Sequence, residues 1–247
     1  MKQGIYKVLE NTPLTDTVWR MALEGDTSAF TAPGQFVNIK VPGFYLRRPI
    51  SVCDWDETTL VILYKVVGKG TDALTQIPLD ADLDLLAGLG NGYDTSVSGD
   101  RPVLIGGGVG IPPLYRLCKQ LVEEGKAPEV ILGFNTADER FLYEEFMALL
   151  ARTSGSIHVT TVDGSMGTKG FVTDVLKDLD YTYFYTCGPG PMFQAIEAAA
   201  VTSGQYSFEE RMGCGFGACM GCSIETKRGA KRVCREGPVF RREDILW

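Results

Sequence analysis

Four cysteines near the C-terminal end carry the most specific chemical signal in the chain. Cys214, Cys219, Cys222 and Cys234 fall within 21 residues, spaced C-x4-C-x2-C-x11-C. That opening is the plant-type start of a 2Fe-2S site, in which two irons need four thiolates converging from a wrapping loop. Gly213, Gly215, Gly217, Ala218 and Gly221 keep the loop small-sided, so backbone N–H groups can approach the sulfurs. A zinc ion held by four thiolates also uses short cysteine spacings, but from two separated C-x2-C knuckles rather than three thiols on one loop. A disulfide framework is disfavoured by the odd count of seven cysteines.

Three further stretches offer seats for anions. Arg47-Arg48-Pro49-Ile50-Ser51 places a guanidinium and a hydroxyl beside a proline-fixed backbone at the start of a strand-like run, which suits a pyrophosphate. Gly68-Lys69-Gly70-Thr71 follows the run Leu63-Tyr64-Lys65 and reads as a helix start with free N–H groups and a hydroxyl. Gly106-Gly107-Gly108-Val109-Gly110-Ile111-Pro112-Pro113 joins an apolar strand to a helix, bringing bare backbone and a helix N-terminus to an anionic ligand. It matches neither the G-x-G-x-x-G fingerprint nor a P-loop. A fourth turn, Cys187-Gly188-Pro189-Gly190-Pro191-Met192, closes a later strand; taken alone, Cys187 reads equally well as a small buried residue.

The elements that must position these groups fall into three blocks. Strand-like runs at 5–9, 18–23, 36–41 and 59–67, punctuated by Pro33-Gly34 and Pro42-Gly43, predict an antiparallel β-barrel over residues 1–98. Residues 99–204 alternate strand and helix: strands at 101–105, 129–135, 157–162 and 183–186, helices at 114–123, 143–152, 172–179 and 193–201. That order predicts a parallel sheet with helices on both faces. The last block, 205–247, has 43 residues, too few for a core of its own, so a metal centre is expected to supply much of its folding energy and the segment to be disordered without iron.

Here the chain resembles the ferredoxin reductase superfamily. Arg48-Pro49-Ile50-Ser51 and Gly70-Thr71 are similar to its Arg-x-x-Ser strand and Gly-Thr phosphate contact, Gly107-Gly108-x-Gly110 to its nicotinamide turn, and Cys187-Gly188-Pro189 with Met192 to its Cys-Gly-Pro-x-x-Met turn. The resemblance implies FAD held by Arg48, Pro49, Ile50, Ser51, Leu63, Tyr64, Lys65, Gly70 and Thr71, with Tyr64 near the isoalloxazine or ribityl region. It implies a nicotinamide nucleotide against Gly107, Gly108, Gly110, Cys187, Gly188, Pro189 and Met192. Over nearly the whole chain, and most specifically from Glu209 to Cys222, the sequence is similar to the electron-transfer subunits of type B dihydroorotate dehydrogenases. This implies a heterotetramer with an FMN-containing catalytic subunit, electrons passing from FMN through a 2Fe-2S cluster on Cys214, Cys219, Cys222 and Cys234 to FAD and then NAD. Hydride carries two electrons and the cluster one, so FAD stands between as converter, and no acid–base catalytic residue is expected. The Gly90-Asn91-Gly92 turn departs from the family's usual Gly-Pro-Leu-Gly-Asn-Gly by carrying Ala87-Gly88-Leu89 ahead of Gly90. A subunit of hydrogenase or ferredoxin-NADP transhydrogenase type, and a zinc-stabilised flavin module without electron transfer, are the competing readings.

NAD is favoured over NADP because Thr136-Ala137-Asp138-Glu139 puts acids ahead of Arg140 where a 2′-phosphate would need an arginine. The loop Asp163 to Gly170 is expected to border the same cleft. His158, the only histidine, is read as a packing or surface residue without partners, which leaves no Ser-His-Asp triad. The net charge of −7 argues against nonspecific nucleic-acid binding, although residues from Arg211 onward carry eight Lys/Arg against four acids. The first residues show no signal-peptide core, and no run approaches the roughly 18 apolar residues of a membrane span. A reducing cytoplasm, where thiols and clusters survive, is the expected location.

Overall fold

Residues 1–247 are described by a computed structural model. Strands β1 (Lys2–Pro13), β2 (Val18–Glu24), β3 (Phe36–Ile39), β4 (Arg48–Trp55), β5 (Thr59–Lys65) and β6 (Asp82–Leu89) close into a barrel in the order β1-β2-β5-β4-β3-β6. Every pairing is antiparallel. Alternation of side chains sends Tyr6, Val8, Met21, Leu23, Val37, Ile39, Ile62, Tyr64, Leu83 and Leu85 into one interior cluster. The closing strand β6 was not among the sequence-derived runs. It opens Asp82-Leu83-Asp84, and aspartate is depleted in strands, yet Leu83, Leu85 and Ala87 alternate into the core. A short helix, α1 (Lys69–Thr75), fills the β5–β6 connection.

The second body is a seven-stranded sheet built on β7 (Pro102–Gly107), β8 (Glu129–Phe134), β9 (Ile157–Thr161), β10 (Thr168–Lys169), β11 (Tyr183–Cys187), β12 (Gly204–Ser207) and, after the hairpin β13 (Ser223–Ile224) and β14 (Lys231–Arg232), β15 (Val239–Arg241). Its order is β10-β9-β8-β7-β11-β12-β15, parallel except for the last pairing. Helices α2 (Pro112–Glu123) and α3 (Tyr143–Leu150) pack Leu114, Leu117, Leu121 and Phe146 on one face. Helices α4 (Val172–Leu176) and α5 (Gly190–Ala199) pack Val172, Leu176, Phe193 and Ile196 on the other. The parallel order with two covered faces agrees with the alternation read from sequence.

Barrel and sheet share a core. Val18, Cys53 and Leu63 of the barrel join the cluster beneath α2. At its rim Asp54 on β4 meets Lys119 at 2.7 Å and Arg116 at 3.6 Å, while the Arg116 guanidinium lies 4.6 Å from the centre of the Trp55 ring. This clamp fixes α2 against the strand that begins at Arg48.

Two expectations change. A cut between residues 204 and 205 falls inside β12, which pairs with β11, and β15 then adds to β12 as the sheet's edge. The C-terminal segment therefore borrows a core: Val233, Phe240 and Ile245 are buried among Phe184, Phe193 and Tyr206 of the α/β sheet, so its packing does not depend on metal alone. His158 has partners, Glu129 Oε2 at 3.2 Å and Ser156 Oγ at 2.9 Å, because parallel pairing of β8 with β9 brings position 129 alongside. No helix is long and apolar enough to cross a membrane.

Candidate functional site

The anion-seat residues of the barrel separate into two kinds. Arg47 is consumed structurally: it pairs with Asp84 at 2.9 Å and donates to the carbonyls of Asp84 at 2.8 Å and Asn38 at 3.3 Å. Arg48 meets no carboxylate; it donates to the Leu46 carbonyl, stacks 4.8 Å from the Phe44 ring and lies over the start of α1. A Cβ at Gly70 would sit 1.9 Å from Arg48 Nε, so the glycine is what lets the guanidinium reach this turn. The Val67 and Gly68 N–H groups donate to Thr71 Oγ1 at 3.0 and 3.3 Å, so they are not free as the sequence suggested. The Lys69 and Gly70 N–H groups belong to the first helical turn, where they have no intrahelical partner, and Gly70 lies beside the same guanidinium. Pro49 and Ser51 stand half-buried on the barrel's outer face, across from Asn38 and Phe36, while Ile50 packs toward the interior. A seat of one unpaired guanidinium and two N–H groups suits a pyrophosphate.

Tyr64 needs correction. Strand periodicity turns its ring into the barrel beside Ile62, where its hydroxyl donates to Asn11 Oδ1 at 2.8 Å. The phenol faces away from the outer face, where the strand backbone and the side chains of Leu63, turned toward α2, and Lys65 stand instead.

The two glycine turns of the α/β body meet. Strands β7 and β11 are neighbours, with Gly106 opposite Cys187, and the chain leaves β7 toward β8 on one side and returns as β11 on the other. Their carboxyl ends form the switch point at which open α/β sheets bind nucleotides. A Cβ on Gly110 would lie 2.2 Å from the Cys187 carbonyl oxygen, and one on Gly107 would lie 2.7 Å from Met192 Sδ. The bare backbone there reflects close approach of Gly107, Gly110, Gly188, Pro189 and Met192, whereas Gly108 faces open space with φ +51°. Burial pushes the Cys187 thiol up to about 12, so it stands in the cleft as a neutral group. Beyond the end of β8, Arg140 pairs with Glu144 at 2.7 Å and lies over the Tyr143 ring. The 163–170 loop does border this edge, Ser165 Oγ accepting from the Ala137 N–H at 2.8 Å.

The structure brings no three of the C-terminal thiols Cys214, Cys219, Cys222 and Cys234 within reach of one common metal ion; backbone N–H groups meet two of the sulfurs, Ala218 donating to Cys214 Sγ at 3.2 Å and Cys234 to Cys222 Sγ at 3.4 Å. Four thiolates, two to each iron, are the donor set of a two-iron centre. Burial opposes ionisation of Cys214, but N–H groups of Phe216, Cys219 and Ala218 outweigh it and hold its pKa near 6. Cys234 is pushed up to about 12 by burial and by its neighbouring thiols. The loop thus favours negative sulfur at its half-exposed mouth, and Cys219 is exposed while Cys222 and Cys234 are buried. A cavity of about 320 Å³ lies between the loop and the barrel, lined by Met1, Leu89, Phe216, Cys234 and Arg235.

Two amides join the C-terminal segment to the barrel, Asn38, which the sequence reading passed over, and Asn91 of the Gly90-Asn91-Gly92 turn. Asn38 Nδ2 on β3 donates to the Cys214 carbonyl at 3.2 Å. Asn91 Nδ2 donates to the carbonyls of Glu236 at 3.0 Å and Val239 at 2.7 Å, and its Oδ1 accepts from the Val239 N–H at 3.1 Å. The available signal was an asparagine between Val37 and Ile39 in an otherwise apolar strand.

Comparison with known proteins agrees with this assembly. Residues 209–246 match the family described as the iron-sulfur cluster binding domain of dihydroorotate dehydrogenase B, and residues 104–198 match the oxidoreductase NAD-binding domain. The structure of an NADH-dependent reduced ferredoxin-NADP oxidoreductase contains a chain that superimposes with a TM-score of 0.87 at 28% identity, covering 99% of this chain and 90% of that one. Fold and site thus define an oxidoreductase of the ferredoxin reductase-like class with an iron–sulfur segment at its C-terminal end. The dihydroorotate dehydrogenase B (NAD(+)) electron transfer subunit of Bacillus pumilus is 40% identical across 99% of this chain and 98% of its own. That of Fusobacterium nucleatum is 40% identical across 96% of each. The chain belongs to the family of dihydroorotate dehydrogenase B electron transfer subunits.

Proposed function

We propose that the chain passes electrons between a partner FMN-containing dihydroorotate dehydrogenase subunit and NAD, by way of a 2Fe-2S cluster and FAD, within a cytoplasmic heterotetramer. The observation that carries this is the attachment of the thiol loop to β3, the neighbour of the Arg48–Ser51 strand, on a barrel that shares a core with the α/β sheet. When bound, FAD takes hydride-equivalent electron pairs and the cluster handles them singly. Residues 1–98 would seat the flavin, the sheet from residue 99 through β12 the nicotinamide nucleotide, and the segment after β12 the cluster.

The chain's own residues position and insulate. Arg48, with the N–H groups of Lys69 and Gly70, holds the pyrophosphate; Pro49 and Ser51 line the outer face; the backbone of Leu63, Tyr64 and Lys65 and the Thr71 cap fix the turn. Gly107, Gly108 and Gly110 admit the nucleotide against Cys187, Gly188, Pro189 and Met192, where the neutral Cys187 adds no charge. Cys214, Cys219, Cys222 and Cys234 would ligate the cluster, and the Ala218 N–H already donates to Cys214 Sγ at 3.2 Å. No side chain need move a proton.

The test is anaerobic. Purified protein is mixed with the FMN-bearing subunit, dihydroorotate is added and NADH formation followed, with Cys222→Ser as control. Formation that requires both subunits and is lost in the variant is expected. Absence of NADH, with NADH still reducing flavin and cluster, would retain the reductase and remove the partnership. A second reading, a subunit of ferredoxin-NADP transhydrogenase type, draws on the 28% identity and 0.87 TM-score above; ferredoxin replacing the FMN subunit in that assay would favour it.

A further inference from the structure

Two arginines flank the fourth thiol, Cys234, and both reach the loop that carries the other three. The Arg232 guanidinium donates to the Gly217 carbonyl and is balanced by Glu236, which accepts from its Nε at 2.9 Å. Arg235 crosses the same residue: a Cβ on Gly217 would lie 2.5 Å from Arg235 Cδ, so the glycine is what admits the arginine stem there. Arg228, Arg232, Arg241 and Arg242 of this segment each meet a carboxylate, whereas Arg235 meets none. It is exposed, and it is the only charged side chain lining the cavity beside Cys234, whose apolar walls are Met1, Leu89 and Phe216. A charge against low-dielectric walls acts more strongly on its neighbours than the same charge in open water.

We propose, resting on the reading of Cys214, Cys219, Cys222 and Cys234 as cluster ligands, that Arg235 is a charge-balancing residue that raises the reduction potential of the cluster. Four thiolates make such a centre negative, and one-electron reduction adds a further negative charge. A fixed positive charge nearby therefore stabilises the reduced form more than the oxidised one, and a guanidinium keeps its charge at any working pH. Arg232 does not fill this role, because Glu236 cancels its charge; it holds the loop through the Gly217 carbonyl. No bond or proton changes hands at Arg235, which acts on the cluster through its field alone.

The test is a redox titration of the full chain loaded with FAD and cluster, the reduced cluster being counted by electron paramagnetic resonance. Arg235→Gln keeps much of the stem and removes the charge, Arg235→Lys keeps the charge, and Arg235→Met stands in for the glutamine variant should that one lose its cluster. Arg235→Gln is expected to shift the one-electron equilibrium about threefold toward the oxidised cluster, a fall of about 28 mV at 59 mV per tenfold. Arg235→Lys is expected to stay within about 1.5-fold of the native protein. The gap between the two variants should narrow as salt rises from about 0.01 to 1 M, because the screening length shortens from about 30 to 3 Å. An unchanged midpoint in Arg235→Gln would overturn the proposal, as would an equal fall in Arg235→Lys or a gap indifferent to salt, either of which marks packing rather than charge. Iron and acid-labile sulfide content reports separately on the ligand reading: an unsubstituted chain that holds no two-iron cluster overturns that reading, whereas a loaded chain with an unmoved midpoint overturns only the role of Arg235.

Discussion

Replacing Asn91 by alanine should loosen the C-terminal segment from the barrel while leaving both bodies folded. The side chain makes three hydrogen bonds to the backbone of residues 236–239, and the Asn91 N–H adds a fourth to the Gly237 carbonyl at 2.8 Å that alanine would keep. Asn91 is exposed and lines an open cavity together with Val239, so water replaces part of what the truncation removes. At roughly 1 kcal/mol for each of the three lost bonds, the loss is at most about 3 kcal/mol. Against a typical total of about 5–15 kcal/mol that is a large fraction, concentrated on one segment. Urea titration of the loaded protein, following visible cluster absorbance together with tryptophan fluorescence, reads the effect. Trp247 reports the C-terminal packing through its contacts with Tyr206 and Phe208, while Trp19 and Trp55 report the barrel. Cluster loss and the Trp247 change should move to lower urea and separate from the barrel transition. Asn91→Asp, which keeps the acceptor for the Val239 N–H and loses both donors, should fall between. A cluster-loss midpoint shifted by less than the equivalent of about 0.5 kcal/mol would show that Asn91 does not hold the segment.

Gly110→Ala should separate the two nucleotide turns, because its Cβ would lie 2.2 Å from a backbone oxygen that has no rotamer by which to yield; flavin reduction by NADH in stopped flow should fall at least about tenfold with FAD content unchanged. Reversing the charge of Asp54 or Lys119 alone should weaken the barrel–α2 clamp by about 1 kcal/mol, and the double reversal should recover part of it, Arg116 still standing near position 54; a double-mutant cycle on thermal midpoints measures the coupling. The Arg232 guanidinium beside Glu236 lowers that carboxyl from an ordinary 4.5 to about 2. A depressed folded-state pKa contributes stability that is full above pH 4.5 and is lost as pH falls from 4.5 through 2, so Arg232→Gln should unfold at higher pH than the native protein in an acid titration followed by circular dichroism.

Much of this chemistry lies in contiguous residues, which is why the sequence alone discloses it. The C-x4-C-x2-C loop brings its three thiols and its glycines with it, so two irons are implied before any fold is known. The Gly106–Pro113 turn and the 3.6- and 2-residue periodicities likewise reveal an α/β body with covered faces, and the Arg47–Ser51 and Gly68–Thr71 stretches mark anion seats. What each side chain does inside those stretches depended on partners far along the chain. Arg47 and Arg48 are indistinguishable in sequence; only Asp84, brought near by β6, claims the first and leaves the second unpaired. Tyr64 looked like a flavin neighbour until strand register turned it inward to Asn11. Asn38 meets Cys214 across 176 residues, and Asn91 meets Val239 across 148. The C-terminal segment looked dependent on its metal because its core is supplied by strands and helices from another part of the chain, and β15 could find β12 only after the sheet existed. Local backbone preference and ligand spacing are written in short stretches, whereas register, closure and the pairing of buried polar groups are set by the minimum of the whole packed chain, so the kinds of chemistry were decided by sequence and their mutual distances by tertiary structure.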